Sequence, residues 1–87
     1  IHYRANKNSN RIIKKNDIFL CDSGGQYKYG TTDVTRTISL GKQTKKIKNI
    51  FTYVLKGHIA VANSNLNKLK SAHLIDNLAR KFLKKMD

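Results

Sequence analysis

The chain has 87 residues, 39% of them hydrophobic, and 18 Lys and Arg against five acidic residues give a formal net charge of +13. That length suits one small domain or a piece of a larger one, because a chain this short buries only about 60% of its surface and is marginally stable alone. No apolar run approaches the roughly 18–20 residues of a membrane span, no signal-peptide layout opens the chain, and the single Cys21 excludes an internal disulfide; a cytoplasmic protein without membrane contact is expected.

Charge alone points to nucleic acid as a partner. Its distribution argues against a specific one. Lys outnumbers Arg by 14 to 4 and is spread along the chain, with Lys14, Lys15, Lys28, Lys45, Lys46, Lys48, Lys56, Lys81, Lys84 and Lys85 among its positions. Arg forks and stacked aromatics in an RNP-like, helix-turn-helix or zinc-finger spacing are missing. Weak, nonspecific nucleic-acid binding is expected from charge, and no specific nucleic-acid partner. The five acids are all Asp (Asp17, Asp22, Asp33, Asp76 and Asp87), so a mechanism that needs Glu as ligand or base is incomplete within this chain.

In chain order, the segment from Ile1 to Tyr3 looks apolar and carries no initiating Met, so a piece of a longer polypeptide is expected. His2 reads from its position as a surface or half-buried histidine. Arg4 to Lys15, rich in Asn and Lys, reads as a loop. Asp17 to Cys21 is a short apolar strand, and Ser23-Gly24-Gly25 is a turn that lets backbone approach closely. From Thr31 to Leu40 β-branched residues dominate, and period-2 alternation puts Thr31, Asp33, Thr35 and Thr37 on one face. Gly41 ends that strand.

The two halves of this region suggest an antiparallel hairpin centred between Tyr27 and Lys28, in which Asp22 faces Asp33. Directly opposed side chains have Cβ atoms only about 4.5–5.5 Å apart, and like charges there are destabilising. A divalent cation between them reverses the sign of the interaction, and paired-metal sites space their ions about 3.5–4 Å apart.

Thr44 can cap a helix that runs to about Asn63, with Ile47, Ile50, Phe51, Val54, Leu55, Ile59 and Ala62 on an apolar stripe and most lysines off it. His58, within this helix, reads as structural. Asn63 to Lys70 is a polar link. A second helix opens at Ser71 or Ala72 and runs to about Met86, with Ile75, Leu78, Ala79, Phe82, Leu83 and Met86 as its stripe. Asp76 near its start and Lys84 and Lys85 near its end are expected to complement the helix dipole. Two amphipathic helices and a small sheet leave apolar faces uncovered, which again predicts part of a larger fold. P-loop, HExxH and Cys/His zinc spacings are missing.

The order HY, LCDSGGQY, GTTDVTRTI, FTYVLKGHIAVA and LIDNLARKFL is similar to the catalytic domain of Xaa-Pro aminopeptidase (aminopeptidase P), a family with the creatinase or "pita-bread" fold. The resemblance covers nearly the whole chain. It implies an α+β class and a partial pita-bread fold, with the hairpin over about 17–40 packed by helices over about 44–63 and 72–86. It further implies that residues 1–87 are one incomplete unit, the N-terminal half of a catalytic domain, with the amino-terminal domains and the C-terminal half absent.

The family removes the N-terminal residue from peptides with proline second and uses two divalent metal ions, commonly manganese, held by two Asp, one His and two Glu. By resemblance, Asp22 binds one metal, Asp33 bridges both, and His2 is the substrate-side histidine; His58 matches a position that is not a ligand. The metal-binding His of the family lies in a GHGTGHGVG-type segment after the LAR helix, with the two Glu beyond it. None of those is present here, so the chain is expected to be inactive alone. The family's FP-x-GT link is replaced by Leu66-Asn67-Lys68-Leu69-Lys70-Ser71, and Ala5 stands where Pro is usual. Three fates fit these departures: a truncated or split metallopeptidase, a half complemented by a second chain that carries the C-terminal half, or a non-enzymatic basic fragment or decayed gene product.

Overall fold

The computed structural model describes residues 2–65, 67–68 and 71–86. The chain divides into two compact units, Ile1–Gln43 and Thr44–Asp87. Among the described residues no helix is long and apolar enough to cross a membrane. The first unit carries antiparallel strands and the second two helices, the α+β content expected.

The first unit begins with a loop that closes on its own side chains: Asn6 Oδ1 accepts the N–H of Asn8 at 2.9 Å and of Ser9 at 3.0 Å. This is the Asx-turn chemistry that makes Asn a loop residue. Strands β1 (Ile18–Ser23) and β4 (Val34–Ser39) pair antiparallel, and the shorter β2 (Gln26–Tyr27) and β3 (Gly30–Thr31) pair inside them. The strands therefore depart from the expected bounds: β1 reaches Ser23, and the expected Thr31–Leu40 strand is interrupted at Thr32 and Asp33.

The register also corrects an expectation. Tyr27 pairs with Gly30, so the tip is Lys28-Tyr29, and Asp22 lies opposite Thr35 rather than Asp33. No glycine has positive φ, and Asn16 is the only non-glycine with one among the described residues, so the tip is not a primed turn. Tyr27-Lys28-Tyr29-Gly30 instead has the glycine at the fourth position, where a type I turn favours it. The slip is by two residues, which preserves faces. Ile18, Leu20 and Asp22 share one face with Ser39, Thr37 and Thr35, while Phe19, Cys21 and Ser23 share the other with Ile38, Arg36 and Val34.

The far end of the hairpin is tied by Asn16, whose φ is 71°. Its Oδ1 accepts the N–H of Lys42 at 3.0 Å and its carbonyl accepts Gln43 Nε2 at 2.7 Å. Asn tolerates this left-handed conformation better than most residues. Gly41 lies against that side chain, where an added Cβ would collide with Asn16 Oδ1.

In the second unit, α1 (Lys45–Ala62) is capped by Thr44, whose Oγ1 accepts the Ile47 N–H at 3.3 Å, as its sequence position predicts. Helix α2 (Ala72–Arg80) is capped by Ser71 in the same way. It ends at Arg80, short of the expected Met86, and Leu83–Lys85 form a 3₁₀ turn. Continuing the α-helix would stack Arg80, Lys81, Lys84 and Lys85 at three- and four-residue spacings, where like charges repel. The dipole expectation changes accordingly. Asp76 is outside the first turn and pairs with Arg80 at 3.0 Å, and Arg80, not Lys84 or Lys85, is the basic residue of the last turn.

Helices α1 and α2 meet at Gly57, the one buried residue of α1, where an added Cβ would strike the Ala79 carbonyl oxygen. The covered residues of α1 are Tyr53, Gly57, Ala60 and Val61, together with Ile47 of the predicted stripe. The predicted stripe is centred roughly a third of a turn away at about 100° per residue, and its Phe51, Val54, Leu55 and Ile59 are 45–52% exposed. Among the described residues no hydrophobic side chain is buried. Of the expected polar link, Leu66, Leu69 and Lys70 lie outside the described residues, as do Ile1 and Asp87.

Candidate metal centre

The Gly-rich mouth of the hairpin is built by a small set of backbone contacts. Thr32 N–H donates to the Gly25 carbonyl at 2.9 Å, and Gly25 N–H donates back to Thr32 Oγ1 at 2.9 Å. Gly24 lies so close to this segment that an added Cβ would collide with the Thr32 carbonyl oxygen and stand 3.9 Å from Asp33 Cα. Glycine is required at position 24 for this approach, and the approach seats Asp33 beside the end of β1.

Asp22 is fixed by its cross-strand partner: Thr35 Oγ1 donates to Asp22 Oδ1 at 3.0 Å. Asp33 is exposed, between β3 and β4. The observed register replaces two directly opposed carboxylates by an Asp–Thr hydrogen bond, with the second carboxylate two residues along the opposing chain. In a regular ladder diagonal neighbours lie farther apart than directly opposed residues, about 7–8 Å, which weakens the repulsion between like charges. Sequence reasoning placed Thr35 on the face of the site but missed it as the partner of Asp22; Gly30, a residue favoured at the fourth position of a turn, is the one local signal for this register.

The other sequence-selected histidines stand apart from this pair in their roles. His2 is exposed, and the partner of Asp22 is Thr35, not His2. His58 belongs to the helical unit, where it lines a groove of about 590 Å³ with Val54, Val61, Ile75, Ala79 and Leu83.

The donor set can be tested against a metal. Two exposed carboxylates are hard oxygen donors of the kind that divalent cations such as manganese, magnesium or calcium prefer. Asp22 keeps Oδ2 without a hydrogen-bond partner among the described residues. Among those residues no three of His, Cys, Asp and Glu stand together as a cation cage. The pair therefore fits part of a coordination sphere.

The model of metallopeptidase family M24 matches residues 1–87. The chain belongs to metallopeptidase family M24. This M24 chain is 51% identical over 83 residues to a protein of Aspergillus clavatus named probable Xaa-Pro aminopeptidase P, a match that covers 95% of the chain and 13% of that protein. It is 49% identical over 83 residues to the protein of the same name from Podospora anserina, covering 95% of the chain and 12% of the relative. The Arthroderma otae protein of that name is 45% identical over the same length, covering 95% and 13%. The M24 chain thus spans about an eighth of the length of these curated relatives. No solved structure matches it.

Proposed function

We propose that this chain supplies the two-aspartate part of a dinuclear M24 metallopeptidase site that removes the N-terminal residue from peptides with proline at the second position. The observation that carries the reading is the hairpin mouth, where Gly24 and Gly25 bring Asp33 beside the strand that bears Asp22. Asp22 and Asp33 are the residues that would hold the metal ions, with manganese the expected metal. When bound, such ions activate a water molecule and polarise the scissile carbonyl.

The chain's own residues then have limited tasks. Asp22 and Asp33 concentrate negative charge at the mouth of the hairpin and orient their oxygens toward a cation. Thr35 restricts the rotation of Asp22. His2 is the substrate-side histidine in this reading. With no Glu in the sequence, no carboxylate of that type takes a proton from water here. Residues 1–87 act as the N-terminal half of a catalytic domain, and the exposed apolar stripe of α1 is where the other half would pack. Cys21, a free half-buried thiol, suits a reducing cytoplasm.

A segment exchange tests this reading. The corresponding 83 residues of the Aspergillus clavatus relative, 51% identical, are replaced by those of this chain. The chimera is expected to cleave an Xaa-Pro peptide in the presence of manganese, to lose turnover with Asp22→Asn or Asp33→Asn, and the isolated chain is expected to show none. A folded chimera that retains full turnover with both substitutions would overturn the assignment.

A further inference from the structure

The assignment of Asp22 as a ligand leaves open what decides where its two oxygens point. A carboxylate on an exposed strand rotates freely about its terminal torsion, which is broad and roughly two-fold. Here that freedom is restricted from one direction only. Thr35 lies directly opposite Asp22 in the ladder and its hydroxyl donates to Oδ1 at 3.0 Å, across 13 positions of sequence. The other residues of this face, Ile18, Leu20, Thr37 and Ser39, do not reach the carboxylate with a hydrogen bond among the described residues.

We propose that Thr35 is a positioning residue for the metal site: its hydroxyl occupies one lone pair of Asp22 Oδ1 and so orients the remaining lone pairs of that carboxylate toward the cation. The proposal rests on the reading of Asp22 as a ligand. Its physical basis is that a ligand hydrogen-bonded from outside the site is pre-oriented, so less rotational freedom is lost when the ion arrives. Groups that orient ligands in this way typically alter metal affinity by about 10–100-fold when removed. Thr is well suited to the position. Its β-branched side chain restricts χ1 and favours a strand, so the hydroxyl is delivered from a stiff support. Ser would deliver the same donor from a looser one, and Val would keep the shape and remove the donor.

Those differences define the experiment. Manganese affinity of the full 87-residue chain is measured by the electron paramagnetic resonance signal of free Mn²⁺ for the unaltered protein and for Thr35→Val, Thr35→Ser, Thr37→Val and Asp22→Ala. Thr37 shares the face with Thr35 but pairs with Leu20, so it controls for a general loss of hydroxyls. The expectation is about a tenfold loss for Thr35→Val, a smaller loss for Thr35→Ser, no change for Thr37→Val, and the largest loss for Asp22→Ala. Val and Ser at an exposed strand position retain the backbone, and far-ultraviolet circular dichroism identifies a variant that does not fold. If Thr35→Val binds manganese as the unaltered chain does while Asp22→Ala is weakened, the positioning role is overturned and the ligand reading survives. If Asp22→Ala also binds unchanged, the ligand reading itself is overturned. Equal losses for Thr35→Val and Thr37→Val would also overturn the positioning role, because the effect would then belong to the face and not to the hydrogen bond.

Discussion

The single residues that hold the hairpin do so by satisfying particular backbone and side-chain groups, and Asp17 gives a measurable case. Its Oδ2 accepts the Lys14 N–H at 2.8 Å and an Arg11 guanidinium N–H at 2.9 Å. The Lys14 bond is the main reason that the Asp17 carboxyl titrates below its usual 3.8; partial burial opposes the shift, and the Arg11 bond and charge and the Lys14 charge add to it. A carboxyl with a depressed folded value contributes stability that is fully present above its unfolded value and is lost as pH falls through the folded one. Asp17→Asn is therefore expected to lower stability at pH 6 and to change it little at pH 2, so that the difference between the two urea midpoints shrinks relative to the unaltered chain. Asp22 and Asp33 were legible in the sequence because each is an acid beside a β-branched or apolar run with glycines between them. Their mutual placement was not, because register depends on a turn whose central residues, Lys28 and Tyr29, carry no strong preference of their own.

At the scale of elements, both helix starts were legible, since Thr44 and Ser71 have the short hydroxyl side chains that accept a first-turn N–H. The end of α2 was less so, because the apolar stripe continues past Arg80 while the charges do not favour another turn. The helix contact was also hidden. Periodicity selects the widest apolar stripe, whereas α2 settles where α1 offers least bulk, at Gly57 against Ala79. Gly57→Val places a branched side chain in that contact and is expected to destabilise the helical unit by about 1–3 kcal/mol, the usual range for overpacking. Amide hydrogen exchange checks it: protection of the α2 amides should fall in the variant while that of the β1 and β4 amides is retained.

For the molecule as a whole, composition and structure agree on little buried apolar side-chain surface among the described residues. Among the described residues no hydrophobic side chain is buried, and 18 large hydrophobic residues are exposed. At this chain length the balance of burial against chain entropy is already narrow. The family was legible because the chain keeps two aspartates eleven positions apart with DSGGQY and GTTDVTRT around them, together with the helix sequence that follows. The rest of a dinuclear site was not, since the sequence contains no Glu and, among the described residues, no third ligating side chain stands with the two aspartates.

If Asp22 and Asp33 bind the same metal centre, as proposed, a paramagnetic ion there broadens the signals around both. In a two-dimensional amide NMR spectrum of the chain titrated with Mn²⁺, signals from Cys21 to Gly25 and from Thr32 to Thr35 are expected to broaden first and together, and Asp22→Ala or Asp33→Ala to reduce the effect at both segments. Broadening centred on His58 or Asp76, or broadening at one segment that persists without the other aspartate, would contradict it.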